Sequence, residues 1–222
     1  MTIKAVLFDI DGTLVDSNDL HVDAWVEAFT ARGHDIDRDA IRGQIGKGAD
    51  MLVPALIPGA SEEEAETLGD AHGEAFKEKH LAKVRAFPGA HDVLARVHEA
   101  GYKVALASSA SQGELDHYLD LLDIKAFVDA TTTIDDVKNS KPAGDIVASA
   151  LGKLGVEPDE ALFVGDTPYD IEAGGECGVA TIALLSGGFS RDTLTGARAV
   201  YDDAAALLAA WPEWVEGVSS VR

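Results

Sequence analysis

The chain has little of several features on which other classes of protein depend. Only one of its 222 residues is a cysteine, Cys177, so no disulfide can form within the chain, as expected of a protein in a reducing compartment. The amino terminus lacks the basic segment and long apolar stretch of a signal peptide, and no apolar run has the length of a membrane span. We therefore expect a cytoplasmic protein that has no membrane partner.

Basic residues are also scarce. The chain has 18 lysines and arginines against 39 aspartates and glutamates, which gives a formal net charge of −21. Such a surface repels DNA, RNA and anionic lipid, so we expect no nucleic-acid partner. A phosphate-binding site on this chain must therefore supply its own local positive charge, from a metal ion or from a well-placed lysine.

Five short apolar runs have the length of buried strands and lack polar alternation. They are residues 5–8, 104–107, 126–128, 161–164 and 180–184. Most are separated by segments in which apolar residues recur at helical spacing, for example Leu115, Tyr118, Leu119 and Leu122. This alternation predicts an α/β fold, with a Rossmann-like parallel sheet covered by helices on both faces.

Residues 16–86 break the alternation, because they show several helical patterns in succession and no strand. Ser61, followed by three glutamates, is typical of a helix start, and the turn at Pro88 ends the segment. Ligands of open α/β sheets bind at the carboxyl ends of the strands, and this segment leaves the first strand at that end. We therefore predict a helical cap at 16–86 over a core formed by 1–15 and 87–222.

Acidic residues follow two of the predicted strands. Asp9 and Asp11 come directly after the first strand, two residues apart, so both carboxylates can point the same way, and Gly12 permits a sharp turn after them. Asp166 and Asp170 follow the strand at 161–164. Magnesium prefers a few carboxylates together with water and phosphate, so these residues can form a metal site. An acidic turn or a helix cap would explain either pair taken alone.

Two further signals lie just before predicted helices. Ser108 and Ser109 end one strand, where hydroxyls and free backbone amides at a helix start can bind an anion. Lys141 lies in a loop before another helix, where it can neutralise a phosphate or the acidic cluster. Taken singly, the two serines are better explained as a plain helix cap, and Lys141 as a solvated surface lysine.

The order of these signals, and their common position at strand ends, resemble the haloacid dehalogenase superfamily over nearly the whole chain. Residues 9–13 resemble its nucleophile motif, Ser108 its phosphate-contacting residue, Lys141 its lysine and residues 165–170 its acidic metal motif. Residues 16–25 resemble phosphoglycolate phosphatases and β-phosphoglucomutases, and residues 46–52 resemble the phosphatases.

The resemblance implies a magnesium-dependent phosphatase that acts on a small phosphorylated metabolite through an aspartyl-phosphate intermediate. The implied catalytic residues are the nucleophile Asp9, the acid and base Asp11, and the charge-stabilising Ser108 and Lys141. The implied metal ligands are Asp9, Asp11 through its backbone carbonyl, and Asp166, with Asp170 in support. The candidate substrate contacts are Gly12, Thr13, His21, Lys47 and Ser109.

Other functions within and beyond the superfamily remain alternatives. A β-phosphoglucomutase-type enzyme grips a second phosphate with a cap arginine, but residues 46–50 offer only Lys47, a point charge without a bidentate grip. Dehalogenases lack the second aspartate of the first motif, whereas Asp11 is present here. A non-catalytic phospho-accepting domain would lack the helical insertion. The chain can be a monomer or a homodimer.

Overall fold

The computed structural model describes residues 2–216, so residue 1 and residues 217–222 of the predicted core lie outside the described residues. The strands are β1 (Ala5–Phe8), β2 (Val15–Asp16), β3 (Arg85–Ala86), β4 (Lys103–Ala107), β5 (Ala130–Thr132), β6 (Ala161–Gly165), β7 (Ala180–Leu184) and β8 (Ala199–Tyr201). The helices are α1 (Asn18–Ala31), α2 (Arg38–Arg42), α3 (Ala49–Leu56), α4 (Glu62–Lys79), α5 (Ala90–Glu99), α6 (Gln112–Leu122), α7 (Asp145–Leu154), α8 (Pro168–Glu176), α9 (Ala204–Ala209) and α10 (Glu213–Glu216). Among these helices, none combines the length and the apolar composition needed to cross a membrane.

Six strands form one parallel sheet in the order β5-β4-β1-β6-β7-β8, which confirms the predicted fold class. Strand β1 lies at the centre, with Ala5 opposite Lys103 of β4 and Ala161 of β6. All four residues of β1 are buried, because apolar side chains from helices pack on both faces of the sheet. The carboxyl ends of β4, β1 and β6 therefore lie side by side.

The structure corrects one predicted strand. Residues 126–128 form no strand, because the chain makes a turn at 125–127, and the edge strand β5 begins four residues later than expected. The Phe127 amide bonds to the Ile124 carbonyl, while the backbone and side chain of Asp129 both bond to Val104 at the start of β4. The chain therefore joins the sheet only from Asp129 onwards, after the apolar run at 126–128. The short edge strand β8 and the two-residue strands β2 and β3 were not predicted, and the expectation of no strand within residues 16–86 is wrong at both ends of that stretch.

Helices α1 to α4 fill the segment between β2 and β3, which pair antiparallel with Val15 opposite Ala86. These helices bury an apolar cluster of their own, which includes Trp25, Phe29 and Leu68. Helix α4 begins as predicted, since the Ser61 hydroxyl accepts a hydrogen bond from a first-turn amide. That residues 16–86 act as a separate cap domain stays a prediction.

Candidate active site

Three predicted site residues converge because their strands are neighbours in the sheet. Asp9 follows β1, Ser108 follows β4 and Asp166 follows β6, and all three are buried. The Ser108 hydroxyl accepts a hydrogen bond from the Ala110 amide at 3.1 Å, which fixes its orientation at the start of the next loop. The structure therefore brings together groups that are up to 157 positions apart in the sequence.

Lys141 lies at the centre of this group and is not a solvated surface lysine. Its Nζ is 2.8 Å from Asp9 Oδ2 and 2.8 Å from Asp170 Oδ1, and its side chain is fully buried. Burial acts to lower the pKa of Lys141, but the two carboxylates outweigh it and raise that pKa. The lysine is therefore held as a cation against Asp9.

Asp9, Asp166 and Asp170 form a buried carboxylate cluster in which one oxygen of each lies within 4.8 Å of one oxygen of the others. Burial, together with the neighbouring carboxylates, raises the pKa of Asp9 to about 7 despite Lys141, and raises that of Asp166 well above its ordinary value. When all three are ionised, one lysine leaves two negative charges uncompensated. A divalent cation fits such a set of oxygen ligands.

Asp166 sits in a close-fitting cradle. Thr13 Oγ1 donates to Asp166 Oδ1 at 2.8 Å, and Asn18 Nδ2 donates to Oδ2 at 3.1 Å. Gly12 has a φ of +74°, and a Cβ on it would lie 2.2 Å from Asp166 Oδ2. Gly12 and Thr13, which were predicted as substrate contacts, thus pack against Asp166 and do not line the cavity described below.

Asp170 contacts both the start of α8 and Lys141. Its Oδ2 accepts hydrogen bonds from the Thr167 amide at 2.9 Å and the Thr167 hydroxyl at 2.7 Å, which closes a capping box at the start of α8. Its Oδ1 pairs with Lys141. The residue that caps α8 is therefore Thr167, and Asp170 links this helix to the lysine.

Asp11 lies outside the carboxylate cluster and has a different environment. Its Oδ1 accepts hydrogen bonds from Ser17 Oγ at 2.6 Å and Tyr118 OH at 2.9 Å, and lies 3.2 Å from His21 Nε2. Burial acts to raise the pKa of Asp11, but His21, Ser17 and Tyr118 together lower it. Asp11 in turn raises the pKa of His21 against the effect of burial.

A cavity of about 650 Å³ opens above these residues. Asp9, Asp11, Ser108, Ser109 and Lys141 line it from the sheet side. Helices α1 and α4 and the loop before α3 line the opposite side, where His21, Trp25, Lys47 and His72 contribute. The cavity therefore joins the predicted catalytic residues to the predicted cap.

The loop before α3 is hydrogen-bonded to the core. The Gly48 amide donates to Ser140 Oγ at 2.8 Å, and the Ser140 amide donates to Asp50 Oδ2 at 3.0 Å. Ser109 Oγ donates to the Gly46 carbonyl at 3.3 Å. Lys47, a predicted substrate contact, lines the cavity while its Nζ lies 4.3 Å from the centre of the Tyr169 ring and bonds to Gln44.

Four residues near the site were missed by the sequence interpretation: Ser17, Asn18, His72 and Tyr118. The first two lie within residues 16–25, whose likeness to phosphoglycolate phosphatases and β-phosphoglucomutases was the available signal. His72 Nε2 lies 3.2 Å from His21 Nδ1, and His21 stacks on Phe76 at 3.8 Å between ring centres. Helical spacing of ring residues along α1 and α4 was the only hint of this contact.

A parallel sheet that gathers buried carboxylates and a lysine at one edge, beneath a cavity, is the arrangement of an α/β enzyme. The chain belongs to the haloacid dehalogenase-like hydrolases, whose family model matches residues 6–184. This confirms the family and the enzyme class predicted from the motifs.

Individual relatives agree with the family. The pyrophosphatase PpaX of Bacillus velezensis is 32% identical over 189 residues, which are 82% of this chain and 83% of that protein. A hydrolase from Pseudomonas syringae has a TM-score of 0.87 and 31% identity, covering 93% of this chain and 96% of its own. CbbY from Rhodobacter sphaeroides, in complex with xylulose-(1,5)bisphosphate, has a TM-score of 0.77 and 26% identity, covering 92% and 96%.

Proposed function

We propose that the chain is a magnesium-dependent phosphatase that hydrolyses a small phosphomonoester through a phosphoaspartate on Asp9. One observation carries this proposal: Lys141 Nζ lies 2.8 Å from Asp9 Oδ2 at the wall of a cavity that Asp11 and Ser108 also line. A carboxylate nucleophile, an acid or base and two donors for phosphoryl oxygens thus face one space.

The buried carboxylate cluster supports magnesium as the cofactor. Asp9 and Asp166 would hold the ion with the Asp11 carbonyl, and Asp170 would support it through Lys141 and the start of α8. The cradle around Asp166 fixes one ligand before any ion binds. When bound, magnesium supplies a positive charge that stabilises the phosphoryl oxygens and compensates the buried carboxylates.

In the first chemical step the Asp9 carboxylate attacks phosphorus. The bond between Asp9 and phosphorus forms as the bond from phosphorus to the ester oxygen breaks, and Asp11 gives its proton to that oxygen, which leaves as an alcohol. Lys141 and Ser108 donate to the phosphoryl oxygens. His21, 3.2 Å from Asp11 Oδ1, is placed to hold that oxygen while Oδ2 transfers the proton.

The second step returns the enzyme to its starting state. Water attacks phosphorus, Asp11 takes one proton from that water, and the bond between Asp9 and phosphorus breaks to release inorganic phosphate. The cap helices over the cavity would keep other water away from the intermediate. Atoms and charge balance over the two steps, with water and ester consumed and alcohol and phosphate formed.

The test is phosphate release from a panel that includes pyrophosphate, phosphoglycolate and sugar phosphates, each with and without magnesium. Pyrophosphate is included because a relative bears the name pyrophosphatase, and sugar phosphates because CbbY binds a sugar bisphosphate. Magnesium-dependent release from at least one substrate is expected. Asp9→Asn should abolish turnover and keep the fold.

Asp159→Asn is the matched control, because Asp159 is exposed just before the opposite end of β6, and it should leave turnover unchanged. Full turnover by Asp9→Asn would overturn the nucleophile. Sugar-phosphate isomerisation that requires a bisphosphate activator, with no net phosphate release, would instead establish the mutase.

A further inference from the structure

The hydroxyl of Tyr118 donates a hydrogen bond to Asp11, although Tyr118 belongs to the apolar face of a core helix. Tyr118 is on α6, in register with Leu115 and Leu122, and its ring is buried in the main apolar cluster of the sheet. Its side chain is 1% exposed. By helical spacing alone this residue would be a packing residue and nothing more.

Packing does not account for the hydroxyl. A phenylalanine would fill the same apolar space, whereas a tyrosine there brings a buried hydroxyl that costs free energy unless it finds a partner. The partner is Asp11 Oδ1, 2.9 Å away and 107 positions away in the sequence. The hydroxyl is thus directed at a single carboxylate, the one assigned above as acid and base.

The three groups that contact Asp11 Oδ1 come from different parts of the molecule. Ser17 lies between β2 and α1, and His21 lies in α1, so both belong to the segment predicted to form the cap. Tyr118 comes from the core, on a helix anchored by the capping box of Ser111 and Glu114. It is therefore the contact to Asp11 Oδ1 that the core contributes.

The two oxygens of Asp11 are used unequally. All three contacts go to Oδ1, and within residues 2–216 no hydrogen bond is made to Oδ2. Asp11 lines the cavity, so the oxygen that remains available to a substrate is Oδ2. A donor on Oδ1 fixes the rotation of the carboxyl group and hence the direction in which Oδ2 points.

We propose that Tyr118 is a positioning residue, which holds Asp11 from the core side so that Oδ2 can exchange a proton with the leaving group and later with water. The proposal rests on the proposed phosphatase function. It predicts that removal of the hydroxyl impairs the proton transfer performed by Asp11, while attack by Asp9 and the binding of substrate are kept.

The test compares two leaving groups in the variant Tyr118→Phe, which retains the ring. An alkyl phosphomonoester needs a proton on its leaving oxygen, whereas p-nitrophenyl phosphate releases a stable phenolate without one. We expect kcat/KM for the alkyl ester to fall about tenfold or more, and kcat/KM for the nitrophenyl ester to fall less than about threefold. The KM for the alkyl ester should change little.

Two controls separate positioning from a general loss of structure. Tyr102→Phe removes a hydroxyl from a half-buried core tyrosine that packs against Trp211, and it should change neither rate. In an Asp11→Ala background, Tyr118→Phe should have no further effect, because it acts through Asp11. Equal losses on both esters, no loss on either, or a full additional loss in the Asp11→Ala background would overturn the proposal. A wild-type protein that hydrolyses neither ester would instead refute the phosphatase function.

Discussion

At the scale of single residues, the glycine of the first motif shows how closely the chain packs around a candidate metal ligand. Gly12→Ala would strain a backbone at φ +74° and place a methyl group 2.2 Å from Asp166 Oδ2. Because that carboxylate must move, we expect the magnesium concentration for half-maximal activity to rise at least about tenfold. Magnesium titrations of phosphate release measure this shift.

Gly33 provides the matched control for Gly12. Its φ is +82°, and nothing lies within 4 Å of a Cβ built on it. Gly33→Ala should therefore incur only the left-handed strain of about 1 kcal/mol, visible in a thermal melt, and keep the magnesium requirement of the wild type. An equal magnesium shift in the two variants would show that backbone strain, and not contact with Asp166, causes the effect.

Proton competition at Asp9 gives a prediction with a definite sign. Burial and the neighbouring carboxylates raise the pKa of Asp9 to about 7, so the metal-free site holds a proton on this carboxyl below that pH. Magnesium requires the ionised form, and its apparent affinity should therefore weaken as the pH falls through about 7. Magnesium titrations from pH 5.5 to 8.5, followed by thermal shift, would show this, and affinity independent of pH would contradict it.

The residues with chemistry of their own could be predicted from the sequence, whereas their supporting contacts could not. Asp9, Ser108 and Asp166 follow strand ends and Lys141 lies in the loop before α7, and spacing and resemblance point to all four. The contact from Tyr118 to Asp11 spans 107 positions, and nothing local marks that hydroxyl as different from its apolar neighbours. Such contacts arise from packing between elements, on which a single sequence carries no direct signal.

At the scale of elements, the loop between α2 and α3 and the first turn of α3 contact the lysine-bearing loop. Asp50, in the first turn of α3, accepts a hydrogen bond from the amide of Ser140, the residue before Lys141. Asp50→Ala should loosen this contact and lower kcat/KM about fivefold, since a hydrogen bond of this kind contributes about 1 kcal/mol. Steady-state kinetics on the preferred substrate measure the change.

Asp39 is a suitable comparison, since it also lies in the first turn of an insertion helix, α2, and is exposed. Asp39→Ala should leave kcat/KM within about twofold of the wild type. Equal losses in the two variants would indicate that the acidity of the insertion matters, and not its hydrogen bond to the core.

Strand prediction succeeded where burial alone determines the strand and failed at the edges of the sheet. Strands β1, β4, β6 and β7 match apolar runs, because central parallel strands are buried on both faces. Edge strands β5 and β8 are short and half-buried, so their composition resembles that of loops. Their positions depend on pairing with a neighbour, as the contacts of Asp129 with Val104 show.

At the scale of the whole molecule, the net charge of −21 opposes the arrival of any phosphate ester, although the site itself holds a buried lysine. Exposed acidic residues of α4, Glu66, Asp70 and Glu74, stand at the cavity wall. The long-range field and the local site therefore act in opposite directions on an anionic substrate. Added salt distinguishes the two effects, because it screens distant exposed charges more strongly than a buried ion pair.

We therefore expect the KM for a dianionic phosphomonoester to fall about twofold or more as potassium chloride rises from about 10 mM to about 150 mM, with magnesium held saturating. Over this range the screening length shrinks from about 30 Å to about 8 Å, so repulsion from the acidic surface fades while the contacts of Lys141 persist. Phosphocholine, whose ammonium group offsets part of its charge, should show a smaller change. A KM that rises steadily with salt would mean that local attraction outweighs the field of the whole protein even at the entrance to the cavity.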